Sequence, residues 1–346
     1  MKINHQIQLD YNDVLIKPSN TNIHSRKEVN LIRKIHFPIS KQLWEGVPII
    51  AANMDTIGTY EVYKVLVKHK IITCFHKFYN VEDLEKMELD PEYFMISTGI
   101  NDDDLERLKT ITEKIDVKFI CIDVANGYLE NLINFCNQLR NLYPTKIIVA
   151  GNVVCNKRTK ELIKYGKVDI VKVGIGSGSA CLTRTQTGIG VPQLSAVDEC
   201  ATQAHELNSF IIGDGGITCA GDISKGFGAG SDFIMIGGLF SGHDENPGEI
   251  IEENNKKYKI FYGMSSKKSM EKNYGKMDTY KSSEGRSCKI PYKGSIENTL
   301  NDLLGGIRST CTYTGTKNIK ELPNNCNFIR VNNQLNKLYE KYDNPL

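Results

Sequence analysis

The chain has 346 residues, 40% of them hydrophobic, enough to bury one large α/β domain or two smaller ones and too many for a disordered chain. Forty-three Lys and Arg against 41 Asp and Glu leave a formal charge of +2, so no bulk field draws it to nucleic acid or to an anionic membrane. No apolar run approaches the roughly 18 residues that cross a bilayer. The opening M-K-I-N-H-Q-I lacks a secretory core, and the closing N-P-L is not a peroxisomal address, so a cytoplasmic protein is expected. Ten cysteines are scattered singly, without a C-x-x-C pair or clustered histidines, which excludes the usual zinc, iron–sulfur and disulfide frameworks and fits a reducing compartment.

In chain order, short buried runs alternate with amphipathic segments. The runs cover residues 47–54, 71–76, 93–99, 118–124, 146–153, 169–175, 210–216 and 233–238. Their continuous apolarity suits strands covered on both faces, as in a parallel sheet. Helical periodicity marks residues 81–87, 102–114, 128–141 and 196–207 between them. About eight βα units in one chain predict a TIM (β/α)8 barrel over a single domain, 1–346, with an N-terminal extension before the first strand.

Polar residues collect at the carboxyl ends of the runs: Asn53, Asp55, His76, Lys77, Asp123, Asn152, Asp214 and Gly238. Barrel active sites occupy that face, although Asp, Asn and Gly also serve as ordinary turn and cap residues. After the sixth run comes G-I-G-S-G-S-A-C-L-T-R (174–184), where a glycine-dense turn can present the Cys181 thiol for attack. A small buried cysteine in a tight loop is the alternative. Runs seven and eight end on G-D-G-G-I (213–217) and Gly237-Gly238, the two places where this fold usually holds a phosphate on backbone N–H groups. Asp214 would repel a phosphate but can accept from ribose hydroxyls, which points to a nucleotide. Beyond the eighth run, a hairpin-like stretch from residue 256 leads into F-Y-G-M-S. The Ser-, Lys- and Gly-rich segment 266–286 that follows reads as a mobile flap over the site or as a solvated loop.

Together A-A-N-M-D-T-I-G (51–58), C-I-D-V-A-N-G (121–127), V-A-G-N-V (149–153), the Cys181 loop, D-G-G (214–216), F-Y-G-M-S (261–265) and S-E-G (283–285) resemble the GMP reductases. The resemblance runs from Y-N-D-V-L-I-K-P (11–18) to G-G-I-R-S-T-C-T-Y (305–313). It implies NADPH-dependent reductive deamination of GMP to IMP and ammonia, on a barrel that assembles as a homotetramer. In that reading Cys181 is the nucleophile that forms a thioimidate at purine carbon 2, and Thr183 and Glu284 are the proton-transfer pair. Substrate contacts fall on Asp214, Gly215, Gly216, Gly237, Gly238, Gly263, Met264, Ser265, Lys281, Ser282, Ser283 and Gly285. Cofactor contacts fall on Lys77, Asp123, Val124, Ala125, Ile175 and Gly176, with Ser25 and Arg26 supplied by a neighbouring subunit. Carbonyls of Gly176, Gly178 and Cys181 are implied ligands of a monovalent cation such as potassium. The chain departs from the family at Lys281, usually arginine, and at Ser177, usually proline.

No G-x-G-x-x-G opens a βαβ unit, so the cofactor half comes from the resemblance alone. Two rivals are weighed. Inosine-monophosphate dehydrogenase shares the barrel and the cysteine loop, but it usually inserts a regulatory domain where this chain has only residues 80–91, and its flap carries an Arg-Tyr pair absent here. A non-catalytic nucleotide sensor would need none of Cys181, Thr183 and Glu284.

Overall fold

A computed structural model of the chain describes residues 3–275 and 283–332. Eight short strands, rich in Ile, Val and Phe, form a closed parallel barrel: β1 (Ile49–Ala51), β2 (Ile72–Phe75), β3 (Phe94–Thr98), β4 (Phe119–Asp123), β5 (Ile147–Val153), β6 (Ile170–Val173), β7 (Phe210–Asp214) and β8 (Phe233–Ile236). Each pairs with the next in sequence, and β8 closes onto β1 through Met235 opposite Ile50. Alternation along each strand splits the side chains between two cores. Ile50, Cys74, Met95, Cys121, Val149, Ile170, Ile212 and Met235 fill the interior. Ile49, Phe75, Phe94, Ile120, Ile148, Val171 and Ile234 point outward against helices. This two-sided burial explains why the runs read as continuously apolar.

The covering helices are α1 (Tyr60–Leu66), α2 (Val81–Leu84), α3 (Asp102–Lys114), α4 (Glu130–Leu142), α5 (Asn156–Lys164), α6 (Thr183–Thr187), α7 (Gln193–Glu206), α8 (Ala220–Gly228), α9 (Lys267–Tyr274) and α10 (Ile296–Thr314). Three boundaries differ from expectation. α2 is a single turn begun by the Asn80 side chain, which takes the Asp83 N–H at 2.7 Å, and it ends at Leu84 instead of running to 87. α4 starts at Glu130 because the Asn126 side chain holds the Tyr128 N–H in a turn. α7 begins three residues early, directly after Pro192, whose fixed φ suits a helix entrance.

The N-terminal extension closes the floor of the barrel. Its hairpin, Arg33–Phe37 with Gln42–Gly46, drives Trp44 against Phe233 and Phe37 against Phe119 and Phe210, the residues that open three barrel strands. A buried ion pair braces the same end: Asp169 accepts from Arg140, Ser40 N and Ile148 N. At the opposite mouth, the segment after β8 builds a three-stranded antiparallel sheet from Ile251–Glu253, Lys256–Tyr262 and Ser287–Pro291. The predicted flap at 266–286 thus leaves and re-enters this sheet. It holds helix α9, which its serine and lysine content did not announce. Lys281 and Ser282 lie outside the described residues.

Candidate active site

A cavity of about 430 Å³ opens at the carboxyl end of the barrel, walled by the loops after the strands and by residues 261–265, 284 and 285. Its floor is polar. From β6, Lys172 is the one cation in an otherwise apolar four-residue strand and is only 3% exposed. Its Nζ donates to Asp123 Oδ1 and to Asn152 Oδ1, each at 2.8 Å, and is ion-paired with Asp214 Oδ2 at 2.6 Å. Asn53 Nδ2 donates to Asp123 Oδ2 and Asn152 Nδ2 to Asp214 Oδ2, both at 2.9 Å. Burial works against the Lys172 charge, but the two carboxylates outweigh it and raise its pKa well above the ordinary value. Burial likewise opposes ionisation of Asp123, and the ammonium overcomes that and lowers its pKa.

Above this floor stands the cysteine loop. The Cys181 N–H donates to the Gly178 carbonyl at 2.9 Å, and α6 starts two residues later. The Cys181 thiol donates to Thr183 Oγ1 at 3.2 Å, and the threonine hydroxyl donates to Glu284 Oε2 at 2.7 Å. Thr183 and Glu284, 101 positions apart, are joined through the backbone as well: Leu182 N donates to Glu284 O, Arg286 N to Ala180 O, and Cys181 bridges Gly285 in antiparallel fashion. The flap strand is therefore docked directly on the cysteine loop. At the Ser177 departure, the serine Oγ donates to the Asp214 carbonyl at 3.1 Å, a tether that stands in for the rigidity of proline.

Gly215 and Gly216 have φ of +97° and +79°, the left-handed region that favours glycine, so the chain turns tightly after β7. The Gly216 N–H already donates to the Ser177 carbonyl, so Gly216 supplies shape to the expected phosphate cradle and not a donor in this state. At Gly238 a Cβ would lie 2.4 Å from Ser179 Oγ, which places that hydroxyl against the second glycine pair.

Asp55, after β1, ties down the flap. Its Oδ2 accepts from Tyr262 OH at 3.1 Å and Asn273 Nδ2 at 3.2 Å, with Lys272 Nζ at 3.4 Å. Nearby His76 stacks on Tyr79, 4.3 Å between centroids, and burial pushes its pKa down to about 4 despite the Asp55 charge, so the ring is neutral.

Cys181, Thr183, Glu284, Asp214, Gly215, Gly216, Gly237, Gly238, Gly263, Met264, Ser265 and Gly285 all line the one cavity. Lys77, Asp123, Val124, Ala125, Ile175, Gly176 and Gly178 line it too. Ser283 stands beside it, its hydroxyl on the Gly285 carbonyl at 2.8 Å. Ser25 and Arg26 are exposed, away from the cavity wall, in a short turn packed near α10. Lys172 and Ser179 were not anticipated. A charge inside I-V-K-V was the available signal for the first, because a lysine in a buried strand needs an internal partner. A second groove of about 690 Å³, between α4 and α5, has no carboxylate or thiol in its lining and no connection to this chemistry.

A model of the IMP dehydrogenase / GMP reductase domain matches residues 8–337. The chain belongs to that family. It is 50% identical to GMP reductase 1 of Mus musculus over 343 residues, 98% of this chain and 99% of the mouse protein. It is 49% identical to GMP reductase of Caenorhabditis elegans over 350 residues, 99% of this chain and 98% of the worm protein. A GMP reductase of Buchnera aphidicola is 49% identical across 99% of both chains. Within the family's barrel, the matched stretch takes in the whole cavity and the flap.

Proposed function

We propose that the chain is a GMP reductase, converting GMP and NADPH to IMP, ammonia and NADP+ in purine nucleotide interconversion. The observation that carries this reading is the hydrogen-bonded line from Cys181 Sγ through Thr183 Oγ1 to Glu284 Oε2. As drawn, the thiol proton has a path to the carboxylate, which leaves a thiolate to attack the electron-poor carbon 2 of the purine. The amine at that carbon departs well only when protonated, and Glu284, now carrying the proton, returns it through Thr183. Loss of ammonia leaves a thioimidate on Cys181.

The cavity fits a reduced nicotinamide. Val124, Ala125 and Ile175 offer apolar wall beside Cys181, and ionised Asp123 offers an acceptor for sugar hydroxyls. When bound, the cofactor supplies the hydride that ends on carbon 2. The residues here exclude bulk water, hold the thiol against that carbon, and receive the thiolate back as IMP forms. The carbonyls of Gly176, Gly178 and Cys181 are hard oxygen donors of the kind potassium takes. Gly178 spends one lone pair on the Cys181 N–H and keeps the other for a cation.

Two further readings accompany this one. The exposed position of Ser25 and Arg26 favours their use by a neighbouring subunit of a homotetramer, where the guanidinium would pair with the ribose phosphate of NADPH. Ten free thiols suit a reducing cytoplasm.

Nicotinamide absorbance separates the alternatives. Oxidation with GMP plus NADPH, and no reduction with IMP plus NAD, is the expected result. The reverse pattern identifies a dehydrogenase, and silence in both a sensor. Cys181→Ala should bind GMP and lose turnover. Substantial residual turnover would rule out the covalent route.

A further inference from the structure

We propose that Lys172 is a positioning residue that couples the nucleotide and cofactor halves of the site, one buried ammonium orienting the carboxylates of both Asp123 and Asp214. The inference rests on the assignment of Asp123 to cofactor and Asp214 to nucleotide under the proposed function.

Two of the three ammonium N–H donors are hydrogen-bonded, to Asp123 and Asn152, and the same charge is ion-paired with Asp214 at 2.6 Å. Three protein oxygens crowd a side chain that is only 3% exposed, so Lys172 acts through its neighbours. Those neighbours come from separate parts of the barrel. Asp123 ends β4 and Asp214 ends β7, with β5 and β6 between them. The nearby charged and titratable groups are few: Lys77 after β2 acts on Asp123, and the Cys74 and Cys121 thiols lie in the interior beneath Lys172.

Without a cation between them, nothing would hold these two carboxylates toward a common centre. The ammonium draws one oxygen of each carboxylate toward itself, which fixes the direction of their remaining acceptor lone pairs, the groups that suit the hydroxyl donors of a ribose. Asn53 and Asn152 fix the remaining orientation. Asn53 holds the far oxygen of Asp123, and Asn152 is itself pinned by the Gly174 carbonyl at 2.7 Å. The result is one polar ring, Asn53–Asp123–Lys172–Asp214–Asn152. Displacing the ammonium releases both ends of it.

The test is calorimetric binding of GMP and of NADP+ to the full-length protein, measured separately, with KM for each substrate and kcat alongside. Asp123→Asn should weaken NADP+ alone and Asp214→Asn should weaken GMP alone. Failure of either overturns the assignment of the carboxylates, not the role of the lysine. Lys172→Met should weaken both ligands tenfold or more and raise both KM values, whereas a merely structural role would lower kcat with the active fraction and leave KM unmoved. Should Lys172→Met not fold, Lys172→Arg keeps the charge with a different reach. It should weaken both ligands in parallel by several-fold. A folded lysine variant that weakens only one ligand, or neither, refutes the coupling.

Discussion

Gly285→Ala tests whether the docked flap strand sets the geometry of the proton relay. Gly285 is buried, bridges Cys181 on one side and Ser266 on the other, and directly follows Glu284. A Cβ built there lies 2.7 Å from Ser266 N, 3.0 Å from the Ser265 carbonyl carbon and 3.2 Å from Ser266 Cα, all of them backbone atoms. Ordinary contact begins near 3.4 Å, so the strand and the 263–266 loop must part by about 0.7 Å. The loop is not free to yield, since Ser266 N donates to Gly263 O and Gly263 N to Arg286 O. Most of the movement therefore falls on residues 283–285. Displacing Glu284 by that amount takes its 2.7 Å contact with Thr183 past normal hydrogen-bond length. Misplacement of about 1 Å costs on the order of 100-fold in rate, so kcat should fall roughly 30- to 100-fold. The barrel core is untouched, so the melting temperature should move by no more than about 2 °C. The assay is NADPH oxidation by GMP at saturating substrate, with a thermal melt of the same sample. A variant with near wild-type kcat would show that the flap strand does not set the relay.

Further outcomes follow from the same contacts. Arg140→Met leaves the 2% exposed Asp169 carboxylate without its cation and should cost about 3–5 kcal/mol in unfolding free energy, with kcat at 25 °C unchanged. Urea denaturation checks it, and a loss under about 1 kcal/mol would contradict it. Asp55→Ala deprives the buried Tyr262 hydroxyl of its acceptor and removes the bond that ties Asn273 to the barrel, so limited proteolysis within 267–275 should quicken and KM for GMP rise. An unchanged cleavage rate would show that the flap is held elsewhere. His76 has a folded pKa of about 4, below its ordinary 6.5, so the unfolded chain binds the extra proton between those values. Stability should be full above pH 6.5 and decline as pH falls toward 4, by at most about 3 kcal/mol. His76→Phe should flatten that slope in urea midpoints measured at pH 7.5 and 5.0.

The barrel was legible because its strands are buried on both faces: runs such as F-I-C-I-D and F-I-M-I leave little choice but a covered parallel sheet. Residues at strand ends were legible for the same reason, since Asp123 and Asp214 interrupt apolarity where this fold keeps its chemistry. Helix entrances were less so. α4 starts late because the Asn126 side chain holds Tyr128 in a turn, and α7 starts early, directly after Pro192, whereas α2 starts at the expected residue 81 and only its end was misplaced. Lys172 stayed hidden because its partners lie 49 and 42 residues away on β4 and β7, and spacing carries no sign that three strands converge on one atom. The Thr183–Glu284 contact had no local spacing signal at all. It came from the resemblance, and the flap strand docked on the cysteine loop explains how it forms.

That docking bears on how the site divides its labour. The polar floor, Asn53 to Asn152, is anchored on barrel strands and their immediate ends, elements that open only with the fold. Glu284 instead sits on a segment held by a few backbone bonds to residues 180–182 and by the Asp55 contacts to 262, 272 and 273. Under the proposed function the ligand-binding groups are thus built into the barrel and the proton-transfer group into the docked strand. A ligand can enter with the carboxylates already oriented, while the Cys181–Thr183 pair reaches the Glu284 carboxylate only when the flap strand is seated. Under the proposed mechanism attack and ammonia loss both draw on Glu284, so seating of residues 283–286 would gate both, whereas return of the thiolate would need no proton from it. Loosening the flap should therefore slow the steps before hydride delivery more than those after it.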